Sequence, residues 1–298
     1  MSVAYVVLAH RGPDQLARLV SRLAPAPIYL HIDRRTDDHL AAEMASRAAS
    51  ASSRVRLVGR HRSGWGSWGV VEAMVEGIGR ALVDRPDHVV LLTGQDYLLE
   101  SSTTIDRFSD AHRGTSFLAH HRLPDPVYGP DGGMSRVTNW HLWLGGRRLR
   151  VPLGRGVPYG FAPVGGQMQS MLSGELAQWV IGALDQRLVK FFRHCGIPDE
   201  LAIPTLAMAS PLAPKVANEN LWFVRWTLFS KHPEILRRSD FDEMRKAAAE
   251  GSVVGGWGRR KLFARKFDQE VDSSVLDLVD SSLVEAQPGR TGGAGGRR

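Results

Sequence analysis

Two groups of residues in this chain are placed to do chemistry. Pro198-Asp199-Glu200 sets two carboxyls side by side. A carboxylate held next to a reacting hydroxyl can take its proton, which is general-base work. The plainer reading is a helix N-terminus, where proline and an acid in the first turn are routine, and on composition alone that reading is the stronger. Pro204 complicates it. Proline has no N–H, so a helix running through both residues would leave the Glu200 carbonyl unpaired and would kink there. Irregular backbone of that kind is often found at sites. The second group is basic: Arg259, Arg260, Lys261, Arg265 and Lys266 surround Leu262, Phe263 and Phe267. A charge run is usually a solvated face, but the interleaved apolar residues would anchor this one and hold Lys266 for an anion.

Other chemistries lack their residues. There is no G-x-G-x-x-G after the first apolar run, no G-x-x-x-x-G-K-[ST], no H-E-x-x-H and no G-x-S-x-G. A divalent ion bridging substrate phosphates usually takes one or two protein carboxylates. The matching place, Leu91-Leu92-Thr93-Gly94-Gln95-Asp96-Tyr97, has the lone Asp96. Asp240-Phe241-Asp242 does match Asp-x-Asp, but it opens an expected helix, where Ser239 or Asp240 serves as N-cap. Without a metal, Arg and Lys must neutralise any diphosphate.

The elements that must position these groups follow from hydrophobic patterning. Val3 to Ala9, Ile28 to Asp33, Val55 to Val58 and His88 to Thr93 read as strands, the first and last apolar enough to be covered on both faces. Helical spacing recurs at Leu16, Leu19, Val20 and Leu23, across Asp38 to Ala51, and at Val71, Met74, Ile78 and Leu82. Alternating strands and helices imply an α/β fold, a mostly parallel doubly wound sheet with helices on both faces. Such sheets bind ligands at the carboxyl ends of their strands. Here those ends carry His10-Arg11, Asp33-Arg34-Arg35, Arg60 to Arg62 and Gln95-Asp96-Tyr97. Gly64 to Gly69 is a turn-rich loop, and residues 119–164 form a long excursion with weak periodicity. Leu172, Leu176, Trp179, Val180 and Leu184 mark a further helix. Leu221 to Leu228 reads as a strand, Phe241 to Ala249 as a helix, and the Gly/Arg-rich residues 286–298 as a disordered tail.

The 298 residues include 43% apolar and 23% charged residues, an ordinary globular balance. The formal charge of +7 suits an anionic partner without choosing one. One cysteine, Cys195, allows no internal disulfide and points to a reducing compartment. With no membrane-length apolar run and no signal-peptide pattern, the expectation is a cytoplasmic protein with no transmembrane segment. A peripheral membrane contact is left open.

Seven stretches, in order, resemble glycosyltransferase family 14, the core-2/I-branching β-1,6-N-acetylglucosaminyltransferases and their xylosyltransferase relatives. They are AYVVLAHRGPDQ from Ala4, IYLHIDRR from Ile28, WGSWGVVEA from Trp65, LLTGQDYL from Leu91, GGQMQSMLS from Gly165, PDELAIPT from Pro198 and LFARKFD from Leu262. The resemblance implies one GT-A-like domain over residues 1–285, with 1–118 the nucleotide half and 119–285 the acceptor and diphosphate half. It implies a metal-independent, inverting transfer from a UDP-sugar, N-acetylglucosamine first, to a hydroxyl on a glycan or small molecule, in β linkage. Glu200 matches the catalytic base and Lys266 the diphosphate cation. Lys231, Arg237 and Arg238 are candidates for a second cation. His10 and Asp33 match the uridine and ribose site, and Arg11, Trp65, Ser67, Asp96 and Arg265 complete the expected donor set. Two other classes stay in play: a nucleic-acid binder, suggested by charge and eight tryptophans, and a glycoside hydrolase, which needs a second carboxyl across a sugar cleft.

Overall fold

The computed structural model describes residues 2–144, 147–227, 230, 232–250 and 260–285. The sequence opens with three βα units and a fourth strand: β1 (Val3–Ala9), α1 (Pro13–Leu23), β2 (Ile28–Ile32), α2 (Asp38–Ala51), β3 (Val55–Leu57), α3 (Trp68–Ala81) and β4 (His88–Thr93). Period-two alternation divides β1 between two cores. Tyr5, Val7 and Ala9 meet the α1 and α2 side, while Ala4, Val6 and Leu8 meet α3. That is why the run is apolar throughout. Helix starts are capped locally: Pro13 occupies the first turn of α1, and the Asp37 carboxylate accepts the Leu40 amide 3.0 Å away at the start of α2.

The chain continues through β5 (Asp96–Leu98), α4 (Ser102–Ala111), β6 (Ser116–Phe117), β7 (His120–Arg122), α5 (Ser135–Thr138), the β8–β9 hairpin (Trp140–Leu144 with Arg147–Val151), β10 (Val164–Gly166), β11 (Ser170–Ser173), α6 (Gly174–Ala183) and α7 (Gln186–Arg193). It ends with α8 (Ala202–Ala209), β12 (Val216–Ala217), β13 (Trp222–Val224), α9 (Phe241–Glu250), β14 (Phe263–Arg265) and α10 (Ser274–Glu285). The central sheet has the order β12-β6-β11-β4-β1-β2-β3. The strands β3, β2, β1 and β4 run parallel, β11 is antiparallel to β4 and β6, and β12 is parallel to β6. The fold is therefore mixed α/β with a mostly parallel central sheet. A smaller sheet, β13-β14-β5, puts Arg265 directly opposite Asp96.

Several expectations change. Leu172 belongs to β11, not to the following helix, because it fills a sheet position beside β4; α6 starts at Gly174 under the Ser173 cap and ends before Leu184. The strand expected over Leu221 to Leu228 is Trp222–Val224, with position 228 outside the described residues. No helix runs through Glu200 and Pro204. Pro198–Glu200 is one tight turn, and α8 begins at Ala202. Pro204 thus falls in the first turn of α8, where its missing N–H removes no bond. The expected tail, residues 286–298, and Arg259 lie outside the described residues. No helix among the described residues is long and apolar enough to cross a membrane.

Candidate active site

A cleft of about 370 Å³ opens at the carboxyl ends of β1, β2 and β4. His10 and Arg11 follow β1, Asp33 and Arg35 follow β2, and Thr93 and Gln95 close β4; all six line the cleft. The loop before α3 contributes Ser63 and Trp65. That loop is tied down twice. The His61 amide donates to Nε2 of buried His31 (3.0 Å), and the His61 ring meets Glu76 at 2.7 Å. Burial, then His61, lowers His31 to about 4, so it stays a neutral acceptor. At the start of α3, a Cβ on Gly69 would sit 2.0 Å from the Arg62 carbonyl oxygen, so the loop closes only over a glycine.

The cationic wall comes from β14 and the residue after it. Arg265 and Lys266 both line the cleft. Asp96 does not: it is fully buried behind Arg265, accepts the Thr93 amide, and stands 3.6 Å from Arg265 Nε. Burial raises its carboxyl, against the pull of Arg265. Its geometry makes it a support for Arg265, which corrects its assignment as a donor contact. Lys266 has no carboxylate partner among the described residues, and burial, then the neighbouring Arg265 and Arg11, holds its ammonium below the usual lysine range. Arg11 pairs with Asp268 at 2.7 Å. Partial desolvation, together with Arg11, Lys266 and Arg35, likewise lowers His10.

Facing these cations are Asp199 and Glu200. Ile197 enters their turn at φ 55°, rare for a β-branched residue. The excursion backbone braces it: the Gly196 amide donates to the Arg136 carbonyl (2.7 Å), and a Cβ on Gly196 would come within 2.9 Å of the His141 ring. Arg136 also reaches Glu200, Nη1 to Oε2 at 2.6 Å, and lies 4.8 Å over the Tyr128 ring. Burial raises Glu200, and Arg136 opposes it. Asp199 is pushed up to about 7, first by burial and then by the Glu200 charge. Its Oδ1, Gln169 Nε2 and Arg265 Nε are buried atoms with no hydrogen-bond partner, and all three residues line the cleft. An orphaned buried polar atom costs about 1–3 kcal/mol; a polar ligand in the cleft would offset that cost.

The structure therefore brings together His10, Arg11, Asp33, Trp65, Glu200, Arg265 and Lys266. It leaves out others. Ser67 caps no amide and bonds the Arg62 carbonyl outside the cleft lining. Arg237 and Arg238 are exposed away from it, and Lys231 lies outside the described residues. Arg60, His61 and Arg62 are not part of the lining either; Arg60 pairs with Asp38 at 2.7 Å. Asp240 is a cap, accepting the Arg237 amide at 2.8 Å. Arg260 goes to Glu100, and the Lys261 ammonium to the Asn220 carbonyl, so of the described members of the basic cluster Arg265 and Lys266 alone reach the cleft. Asp33 is buried and held by Arg35 (2.7 Å); that pairing outweighs burial and keeps its carboxyl below the ordinary range. Sequence reasoning missed Arg35 as its clamp, Gln169, Trp226 and, above all, Arg136. The Asp33-Arg34-Arg35 spacing offered a signal for Arg35, and the GGQMQSMLS stretch from Gly165 one for Gln169. Among the described residues no group of three His, Cys, Asp or Glu is placed to hold a metal.

A family model described as Core-2/I-Branching enzyme matches residues 3–246. Xylosyltransferase 2 of Rattus norvegicus is 22% identical over 313 residues, covering 96% of this chain and 34% of that protein. Xylosyltransferase 1 of Homo sapiens is 24% identical over 320 residues, covering 98% and 31%. The chain spans about a third of the length of the curated relatives it matches. Among solved structures, mouse xyloside xylosyltransferase 1 in its apo form aligns with a TM-score of 0.38 at 9% identity, over 88% of this chain and 97% of that one.

Proposed function

The chain belongs to the Core-2/I-branching enzyme family, and from that premise we propose an inverting, metal-independent transfer of a sugar from a UDP-sugar to a hydroxyl acceptor on a GT-A-like fold. The observation that carries the reading is the cleft itself: two adjacent carboxyls on one wall, Arg265 and Lys266 on the other, and two buried polar atoms, Asp199 Oδ1 and Gln169 Nε2, without hydrogen-bond partners. In the proposed step the acceptor oxygen attacks the anomeric carbon and its proton passes to Glu200. The bond from that carbon to the phosphate oxygen breaks, and its electron pair leaves with UDP. Lys266 and Arg265 meet the growing charge on the diphosphate. Backside displacement of an α-linked donor gives a β-linked product. His10 and Asp33 take the uridine and ribose end. A hydrolase pair is disfavoured, because Asp33, the remaining acid lining the described cleft, is occupied by Arg35.

The donor sugar is N-acetylglucosamine or xylose, the latter favoured by the names of the relatives. A thermal-shift panel of UDP, UDP-GlcNAc, UDP-Xyl and GDP-Man, with and without EDTA, tests the donor, since a ligand of the native state raises the melting temperature. UDP-sugars are expected to stabilise with EDTA present; a strict Mn²⁺ requirement would overturn the metal-free part. A second reading makes Asp199 the base, because burial and then the Glu200 charge push its carboxyl up to about 7 and its Oδ1 has no hydrogen-bond partner in the cleft wall. Glu200→Gln separates the two: loss of a general base lowers the transfer rate about 10²–10⁴-fold with UDP affinity kept. A folded, UDP-binding Glu200→Gln enzyme at parental rate transfers the role to Asp199.

A further inference from the structure

The β8–β9 hairpin carries charge and apolar surface that the cleft does not use. Between Asp131 and Glu175 the sequence has no acidic residue and five arginines. Two of these are absorbed by the fold. Arg136 holds Glu200, and Arg155 donates to the carbonyls of Val137 and Phe191 and to the Cys195 thiol. Arg148 lies 5.9 Å over the ring of Trp65 at the cleft. Arg147 and Arg150 remain, exposed on β9 and with no carboxylate partner among the described residues. Apolar side chains stand in water on the same hairpin: Leu149, 49% exposed, on the face of Arg147, Trp143, 43% exposed, on the face of Arg150, and Leu153, 64% exposed, just past the strand.

We propose that this hairpin docks on an anionic phospholipid surface. Uncompensated arginines are drawn to the negative headgroup layer. Leu149, on the face it shares with Arg147, gains by entering the boundary between headgroups and acyl chains. A soluble polyanion would satisfy Arg147 and Arg150 but leave Leu149 and Leu153 in water, so the combination favours the bilayer. The contact between Arg148 and Trp65 joins the hairpin to the cleft rim, and docking therefore holds the cleft beside the membrane.

The test is sedimentation of the full chain with vesicles of phosphatidylcholine plus phosphatidylglycerol, against vesicles of phosphatidylcholine alone. Binding is expected to the first only, and to fall at high salt. Arg147→Ala with Arg150→Ala lowers partitioning about 25-fold, at roughly fivefold per arginine near an anionic surface. Leu149→Ser with Leu153→Ser weakens it at unchanged charge. Unaltered melting temperatures show that the variants fold. Absent binding, equal binding to both vesicle types, or a leucine pair that binds like the parent would overturn the proposal; the last would mark a site for a soluble polyanion. None of these readouts involves sugar transfer, so the docking reading and the transferase reading stand or fall separately.

Discussion

Arg136 offers the most direct probe of the proposed base. Arg136→Met keeps much of the side-chain volume and removes the guanidinium that sits 2.6 Å from Glu200. The two side chains are 24% and 31% exposed, so their attraction lies between that of bulk water and that of a dry interior. Unit charges about 4 Å apart attract by about 1 kcal/mol in water and about 4 kcal/mol at an effective dielectric near 20. The cation therefore keeps the carboxylate ionised to lower pH than burial alone would allow. Burial already raises Glu200, and losing Arg136 raises it further. A base works only when ionised, so losing an attraction of about 1–4 kcal/mol should move the acid limb of kcat/KM to higher pH, with the alkaline plateau retained. UDP affinity should hold, because Arg136 does not line the cleft. Arg136→Lys should restore most of the profile. The assay is UDP release across pH for the three proteins. A folded Arg136→Met enzyme whose acid limb stays in place would refute both the base assignment and its coupling to this arginine.

Three further outcomes follow from the same geometry. Lys266→Ala should weaken UDP by about 1.5–3 kcal/mol, the range for a charge-assisted hydrogen bond, while uridine, which lacks phosphate, loses much less; titration calorimetry with both ligands distinguishes this from a structural role. The Asp199 carboxyl is raised to about 7 from 3.8, so the native state binds the extra proton across that window and stability falls as pH rises through it. Asp199→Asn should therefore be the more stable protein at pH 8, by at most about 4 kcal/mol, with the gain fading toward pH 4; urea titrations at the two pH values check the sign. Gly69→Ala drives a methyl into the Arg62 carbonyl and should cost about 1–3 kcal/mol in melting experiments, whereas Gly79→Ala, in the same helix with open space around it, should stabilise by about 0.5–1 kcal/mol.

The sequence by itself determined the opening βα units of the fold, with β1, α2 and β4 read at their observed ends. The reason is local: strands covered on both faces must be apolar throughout, and amphipathic helices between them show their period without reference to the rest of the chain. It also pointed to side chains that the fold brings to one cleft, Glu200 from the Pro-Asp-Glu stretch and Arg265 and Lys266 from the basic cluster. What only the tertiary structure decided lies between distant segments. Asp96 looked like a site acid at a strand end, yet the pairing of β5 with β14 buries it under Arg265. Pro204 looked like a helix breaker until the turn at Glu200 moved the helix start past it. Leu172 fitted a helical stripe but fills a strand position beside β4. Helix α10, unread in the sequence, is held by Arg18 and Arg22 through Asp277 and Asp280. Arg136 gave no signal, since it stands in an aperiodic stretch 64 residues from Glu200. Periodicity reports which face of an element is buried; it is silent on which side chain from elsewhere arrives at that face, and the charge environment of Asp199 and Glu200 is set by such an arrival.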